Sequence, residues 1–167
     1  GINVGGNNLL PMAELCVALE DLGLTGVRTY IQSGNVVFES KARSAGKLAQ
    51  RIAARIEAGH GFRPQVLIRT AADLRAAADA NPFPDAEPKA VQLMFLAEPA
   101  VDADVPGLEA LSVASEAFRL TDAVFYLHAP DGIGRSKLAA RAEAHLGVVT
   151  TTRNLRTVNQ LLELAVR

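Results

Sequence analysis

The densest group of residues able to hold a ligand is Asp131-Gly-Ile-Gly-Arg-Ser-Lys137. Gly132 and Gly134 leave the backbone free to turn its N–H groups inward. A helix is expected to start just after them, and a helix start offers unpaired donors and a partial positive charge that favour an anion. Arg135 adds a planar fork of donors, Ser136 a hydroxyl and Lys137 an ammonium at the same place. The plainer reading is a glycine-rich connection with a serine cap and two solvated cations. A second stretch, Thr150-Thr-Thr-Arg-Asn154, is expected at another strand-to-helix junction. There Thr152, Arg153 and Asn154 would join the anion site, with Arg153 and Arg156 in the first turns of the last helix. A cation at that end of a helix is unfavourable unless a negative charge lies near, from Asp131 or from a ligand. Simple capping by Thr152 or Asn154 is the alternative. A third polar group comprises Asn3, Asn7, Tyr30, Gln32, Ser33 and Asn35. On one strand Tyr30 and Gln32 would share a face, and the amides would either lock loops by hydrogen bonds or recognise a ligand.

Other chemistries lack their residues. There is no Gly-x4-Gly-Lys-Ser/Thr loop, no Gly-x-Gly-x-x-Gly after a strand and no His-Glu-x-x-His. His60, His128 and His145 stand on separate elements without partners at ligand spacing, so no metal site is expected. Ser33 has Ile31 where a nucleophile elbow needs its first glycine. For an enzyme, only Asp131 and His128 stand close enough in sequence to the anion motif to serve as acid or base, and no catalytic residue is assigned. No cofactor motif is present.

Composition narrows the classes further. The 167 residues are 49% apolar and 21% charged, with 17 Lys and Arg against 18 Asp and Glu. That is enough apolar material for a core in a chain of one-domain size, and no overall basic charge marks a nucleic-acid protein. Cys16 is the single cysteine, which excludes an internal disulfide framework. It falls in an apolar helical stripe and reads as a small core residue. No run of about 18 apolar residues is available to span a bilayer, and no secretory leader is read. The expectation is a soluble, cytoplasmic protein with no membrane partner and an undetermined oligomeric state.

The elements that must position these residues follow from periodicity. A helix is expected from Pro11, with Met12, Leu15, Cys16, Leu19 and Leu22 on one face, closing at Gly23. Residues 27–32 and 36–39 read as strands joined at Ser33-Gly34-Asn35. Ser44 caps a helix carrying Leu48, Ile52 and Ile56, ended by Gly59 and Gly61. Residues 65–69 read as a strand, and Thr70-Ala-Ala-Asp73 opens a short helix through Ala80. After a proline-rich segment, 81–89, strands are expected at 91–96, 117–120, 124–128 and 148–151, with helices over 105–111, 136–146 and a last one carrying Leu155, Val158, Leu162 and Ala165.

The second half therefore has the split β-α-β, or ferredoxin-like, order. The first half matches it if a strand precedes Gly1. The fold expected is α+β: two ferredoxin-like halves, 1–80 and 90–167, forming one compact domain over 1–167, with the first strand, before Gly1, missing.

Several motifs carry a family resemblance. Gly1-Ile-Asn-Val-Gly-Gly6, Pro11-Met-Ala-Glu-Leu15 and Val27-Arg-Thr-Tyr-Ile-Gln-Ser-Gly-Asn-Val-Val-Phe-Glu-Ser40 resemble the opening of the uncharacterised bacterial domain-of-unknown-function 1697 family. Asn81-Pro-Phe83, Tyr126-Leu-His128, Asp131-Gly-Ile-Gly-Arg-Ser-Lys-Leu138 and Thr151-Thr-Arg-Asn154 resemble its later motifs, in order. The resemblance implies a compact α/β protein of two ferredoxin-like halves, and it implies no reaction. It also implies a short first strand before the glycine-asparagine loop, and Asn7 stands near a position often basic in that family.

The function expected from the residues is binding of a phosphate-bearing ligand, a small molecule or nucleotide, at the glycine-rich loops and helix N-termini. Two alternatives stand beside it: an enzyme acting on a phosphorylated or nucleotide substrate, and a purely structural or assembly protein. Sequence-specific RNA recognition fits poorly, because aromatics make up only 5% of the chain and the basic glycine-aromatic strand of RNA-recognition modules is missing.

Overall fold

The computed structural model describes residues 2–3 and 6–166. Among them the chain is mixed α+β, with six α-helices and two antiparallel sheets. It divides into two compact units, one holding residues up to Ala71 together with those from Gln160 on, the other running from Ala72 to Asn159.

In the first unit, α1 (Met12–Glu20) follows Pro11, whose ring geometry suits a helix start. Its buried side is Met12, Leu15, Ala18 and Leu19; Cys16 is half-buried rather than enclosed. Strands β1 (Thr25–Tyr30) and β2 (Asn35–Glu39) form a two-stranded antiparallel sheet in which Tyr30 faces Asn35 and Thr25 faces Glu39. The register shifts between Thr25 and Arg28. Helix α2 (Ala45–His60) begins where Ser44 Oγ accepts the Lys47 N–H at 3.3 Å. It ends at Gly61, whose φ of 75° is costly for other residues and whose N–H reaches the Glu57 carbonyl. Gly59 lies inside the helix. Leu48, Ile52 and Ile56, four apart, pack with Leu10, Leu15, Leu19 and Leu24 into one apolar cluster. Each large side chain so enclosed contributes about 1.5–3 kcal/mol.

Two expectations fail in this unit. The strand expected at 27–32 stops at Tyr30, because Ile31 takes a φ of 50° and turns the chain out of the ladder. Gln32 therefore lies in the turn, and strand alternation does not relate it to Tyr30. The segment expected as a strand at 65–69 forms no regular element and belongs to no sheet among the described residues. Val66 and Ile68 still pack against the apolar cluster, so the apolar run there reflects burial without a ladder partner.

The second unit contains α3 (Ala71–Asp79, from Ala72 on), β3 (Val91–Leu96), α4 (Val105–Leu111), β4 (Ala117–Leu120), β5 (Val124–His128), a single 3-10 turn (Ile133–Arg135), α5 (Lys137–Leu146) and β6 (Thr150–Asn154). The sheet order is β4-β5-β3-β6, with every neighbouring pair antiparallel. All six residues of β3 are buried, as a central strand covered on both faces requires. On one face Met94, Leu96, Phe125 and Leu127 meet Leu108 of α4 and Leu138, Ala142 and Leu146 of α5. On the other lie Val91, Leu93, Phe95, Val124 and Tyr126. Tyr126 donates its hydroxyl to the Ala77 carbonyl of α3 at 2.9 Å, and burial pushes its phenol above the usual range.

Strand β6 starts two residues later than expected and continues through Asn154, since its ladder with β3 pairs Leu96 with Thr150 and Gln92 with Asn154. Helix α6 (Leu155–Val166) follows directly, its Asn154 cap accepting the Thr157 N–H at 2.8 Å. Among the described residues no helix is long and apolar enough to cross a membrane.

Candidate functional site

The register of the second sheet decides which loops meet. His128, the last residue of β5, lies opposite Val91, and Asn154, the last of β6, lies opposite Gln92. Both strands thus end where β3 begins, one on each side of it. With neighbouring strands about 4.8 Å apart, the chain segments leaving β5 and β6 start about 10 Å from each other. The glycine-rich stretch and the Asn154 end of β6 share one sheet end, whereas Thr150, opposite Leu96, lies at the other.

At that end Gly132 has a φ of 94° and donates its N–H to the Ala129 carbonyl. A Cβ added at Gly132 or Gly134 would meet nothing within 4 Å, so the left-handed backbone, and no crowding, explains glycine at 132. The short turn closes with Arg135 N–H to Gly132 O and Ser136 N–H to Ile133 O. Ser136 is buried and caps α5, its Oγ accepting the Ala139 N–H at 2.9 Å. Arg135 and Lys137 are exposed on either side of it. Asp131 accepts the Ser115 hydroxyl at 2.6 Å, a pairing across 16 residues that no local pattern announces. His128 is half-buried with its ring 5.7 Å from that of Phe83.

Arg153 corrects an expectation. It lies on β6 opposite Leu93, not in the first turn of α6, so no helix dipole acts on it as a misplaced cation. Its Nη1 donates to Thr151 Oγ1 at 3.1 Å and to the Thr152 carbonyl at 2.7 Å, and burial lowers its pKa below the usual arginine value. Thr152 faces Met94 on the same strand. Asn154 is the cap of α6. Arg156 does stand in the first turn of that helix, exposed, with its N–H on the Pro88 carbonyl.

The asparagine-rich group lies in the first unit and works as a lock. Asn3 donates its amide to the Leu10 carbonyl at 2.8 Å and to the Gln32 carbonyl at 2.9 Å, and accepts the Leu10 N–H at 2.8 Å. Asn35, buried at the start of β2, donates to Ser33 Oγ at 2.9 Å and to the Tyr30 carbonyl at 3.2 Å. Gln32 joins through its backbone, Tyr30 is half-buried, and Asn7 is exposed. Among the described residues no three His, Cys, Asp or Glu side chains come together to hold a metal.

The sequence model of a family described as a protein of unknown function, DUF1697, matches residues 1–126. The chain belongs to this family. The match covers the lock and the strands β1 to β5 up to Tyr126, and stops before the Asp131–Lys137 motif. Comparison with curated proteins finds no match. Among solved structures, a conserved bacterial protein, SP0830 from Streptococcus pneumoniae, is similar with a TM-score of 0.75 at 23% identity, over 100% of this chain and 94% of that one. At that identity the likeness establishes the fold of this DUF1697 member.

Proposed function

We propose that this DUF1697 protein binds a phosphate-bearing ligand, a small molecule or a nucleotide, at Gly132, Gly134, Arg135, Ser136 and Lys137, with Asn154 across the start of β3. Of the other two expected residues, Thr152 lies further along β6 opposite Met94, and Arg153, opposite Leu93, is on the sheet face away from α5 and outside the site. The observation that carries the reading is the shared sheet end set by His128 opposite Val91 and Asn154 opposite Gln92. Around it, the first N–H groups of α5 lack helical partners, and Arg135 and Lys137 stand exposed beside them. The Ser136 hydroxyl accepts from Ala139 yet keeps its own proton to donate. A ferredoxin-like second half is part of the same proposal, supported by the β3-α4-β4-β5-α5-β6 sequence and the β4-β5-β3-β6 order.

Binding is preferred over catalysis because the carboxylate within the motif itself, Asp131, is held by Ser115. Titration calorimetry with inorganic phosphate and with AMP tests the reading. Arg135→Ala should weaken binding about tenfold or more, since charge-assisted hydrogen bonds to a fork are worth about 1.5–3 kcal/mol, and Lys137→Ala should weaken it less. Absence of heat with both probes, or an Arg135→Ala protein that binds as the wild type does, refutes it. Turnover of a phosphate ester that Arg135→Ala abolishes would replace binding by catalysis.

A further inference from the structure

The near-neutral total charge conceals a strong local excess. Residues up to Ala71 hold eight Lys and Arg against five Asp and Glu, whereas residues 72–159 hold eight against twelve. Within the first unit the excess is concentrated: between Glu39 and Glu57 stand Lys41, Arg43, Lys47, Arg51 and Arg55, with no carboxylate among them. Three of these, Lys47, Arg51 and Arg55, repeat every four residues along α2 and so project from one side of it at steps of about 6 Å. Lys41 and Arg43 stand in the segment that leads into the helix.

Internal partners do not account for this row. Arg55 pairs with Asp21 at 2.6 Å, and Glu57 is taken by Arg63 at 2.7 Å. Arg51 reaches only the Leu22 carbonyl, at 3.4 Å. Lys41, Arg43, Lys47 and Arg51 are all exposed, and none forms an ion pair with a described residue. Helix stability does not demand them either. The fold uses the opposite side of α2, through Leu48, Ile52, Ala53 and Ile56, and a lysine in the first turn opposes the helix dipole.

We infer that Lys41, Arg43, Lys47 and Arg51 form a docking surface for the phosphodiester backbone of a nucleic-acid duplex, read without regard to sequence. The complementarity is of charge and of shape. Four exposed cations without ion pairs, two of them one turn apart on α2 and two in the segment just before it, suit the closely spaced phosphates of a duplex, and such a basic cluster is the electrostatic footprint of backbone binding. A lipid surface suits it less well, because α2 has already buried its apolar side in the core and has none to insert among acyl chains. This surface belongs to the first unit, and the proposed site at Gly132–Lys137 to the other.

Fluorescence anisotropy of a labelled 20-base-pair duplex of arbitrary sequence, at 20 to 200 mM salt, tests the inference on the whole chain. Each phosphate neutralised contributes about −0.9 to the slope of log K against log salt, so four cations give a slope of about −3 to −4. The double substitution Lys47→Glu with Arg51→Glu should weaken binding at least tenfold and reduce that slope by about two. Lys41→Glu with Arg43→Glu should do the same without touching the helix, which covers the case in which the first variant folds poorly. Arg119→Glu with Arg141→Glu, exposed cations outside both proposed sites, should leave duplex binding unchanged. The inference is overturned by no duplex binding at the lowest salt, by charge reversals that change neither affinity nor slope, or by phosphatidylserine vesicles that bind more tightly than the duplex at equal salt.

Discussion

Asp104 and His145 hold the two ends of a connection 41 residues long: Asp104 Oδ2 lies 2.8 Å from His145 Nδ1, and the Asp104 N–H donates to the His145 carbonyl at 2.8 Å. An ionised carboxylate only accepts, so His145 Nδ1 carries the proton of this bond. The other carboxylate oxygen, Oδ1, accepts the Gly107 N–H at 3.0 Å and caps α4. One aspartate thus starts α4 and fastens it to the end of α5, and α4 carries Leu108 into the core against Leu138, Ala142 and Leu146.

Gly107 must be glycine for that arrangement to form. A Cβ there would collide with Asp104 Oδ2 and come within 2.5 Å of His145 Nδ1. Gly107→Ala should therefore break the pair or shift α4, lowering stability by about 1–3 kcal/mol despite the higher helix propensity of alanine. Urea denaturation of the two proteins checks it, and an alanine variant as stable as the wild type would disprove the crowding.

Acid should loosen the same contact. The hydrogen bond from His145, and then that from Gly107, hold the Asp104 carboxyl below its ordinary value of 3.8. A lowered folded-state value means that the unfolded chain binds the proton more readily. The stabilisation is complete above about pH 4 to 5 and fades as pH falls through the folded-state value. In melting curves from pH 7 to pH 2, the gap between wild type and Asp104→Asn should close on the acid side. A gap that stays constant down to pH 2 would show that the charge is irrelevant.

Ile31 carries strain that the lock around Asn3 enforces. Its φ is 50°, and its side chain is 53% exposed, so little burial compensates a β-branched residue in the left-handed region. Ile31→Gly should raise the melting temperature, by an amount equivalent to about 1 kcal/mol. A fall instead would mean that Ile31 contributes packing worth more than its backbone costs.

Tyr126→Phe keeps the ring in its buried place and removes only the hydroxyl that meets the Ala77 carbonyl. Leaving a buried carbonyl without its donor costs about 1–3 kcal/mol. Hydrogen exchange of the β3 and β5 amides should accelerate together with the loss of stability, because Tyr126 stands directly opposite Leu93 in that ladder.

Much of the local structure was legible from side chains a few residues apart. Ser136 announced the start of α5, and Ser44 with Leu48, Ile52 and Ile56 announced α2, because capping and helical burial act within one or two turns, whereas the Asp104 cap of α4 went unread. Val124–His128 and Ala117–Leu120 read as strands for the same local reason, a short apolar run beside a turn. The glycine-rich motif, its cap and its flanking cations also stand in the sequence. What it lacks is any measure of which distant segments pair. Residues 65–69 read as a strand yet have no ladder among the described residues, while Arg153, read in the first turn of a helix, continues a strand because β3 offers Leu93 as its partner. Ladders and contacts such as Asp104 with His145 join residues far apart in the chain. Their free energy depends on where the rest of the fold puts both ends, so only the tertiary structure decides them.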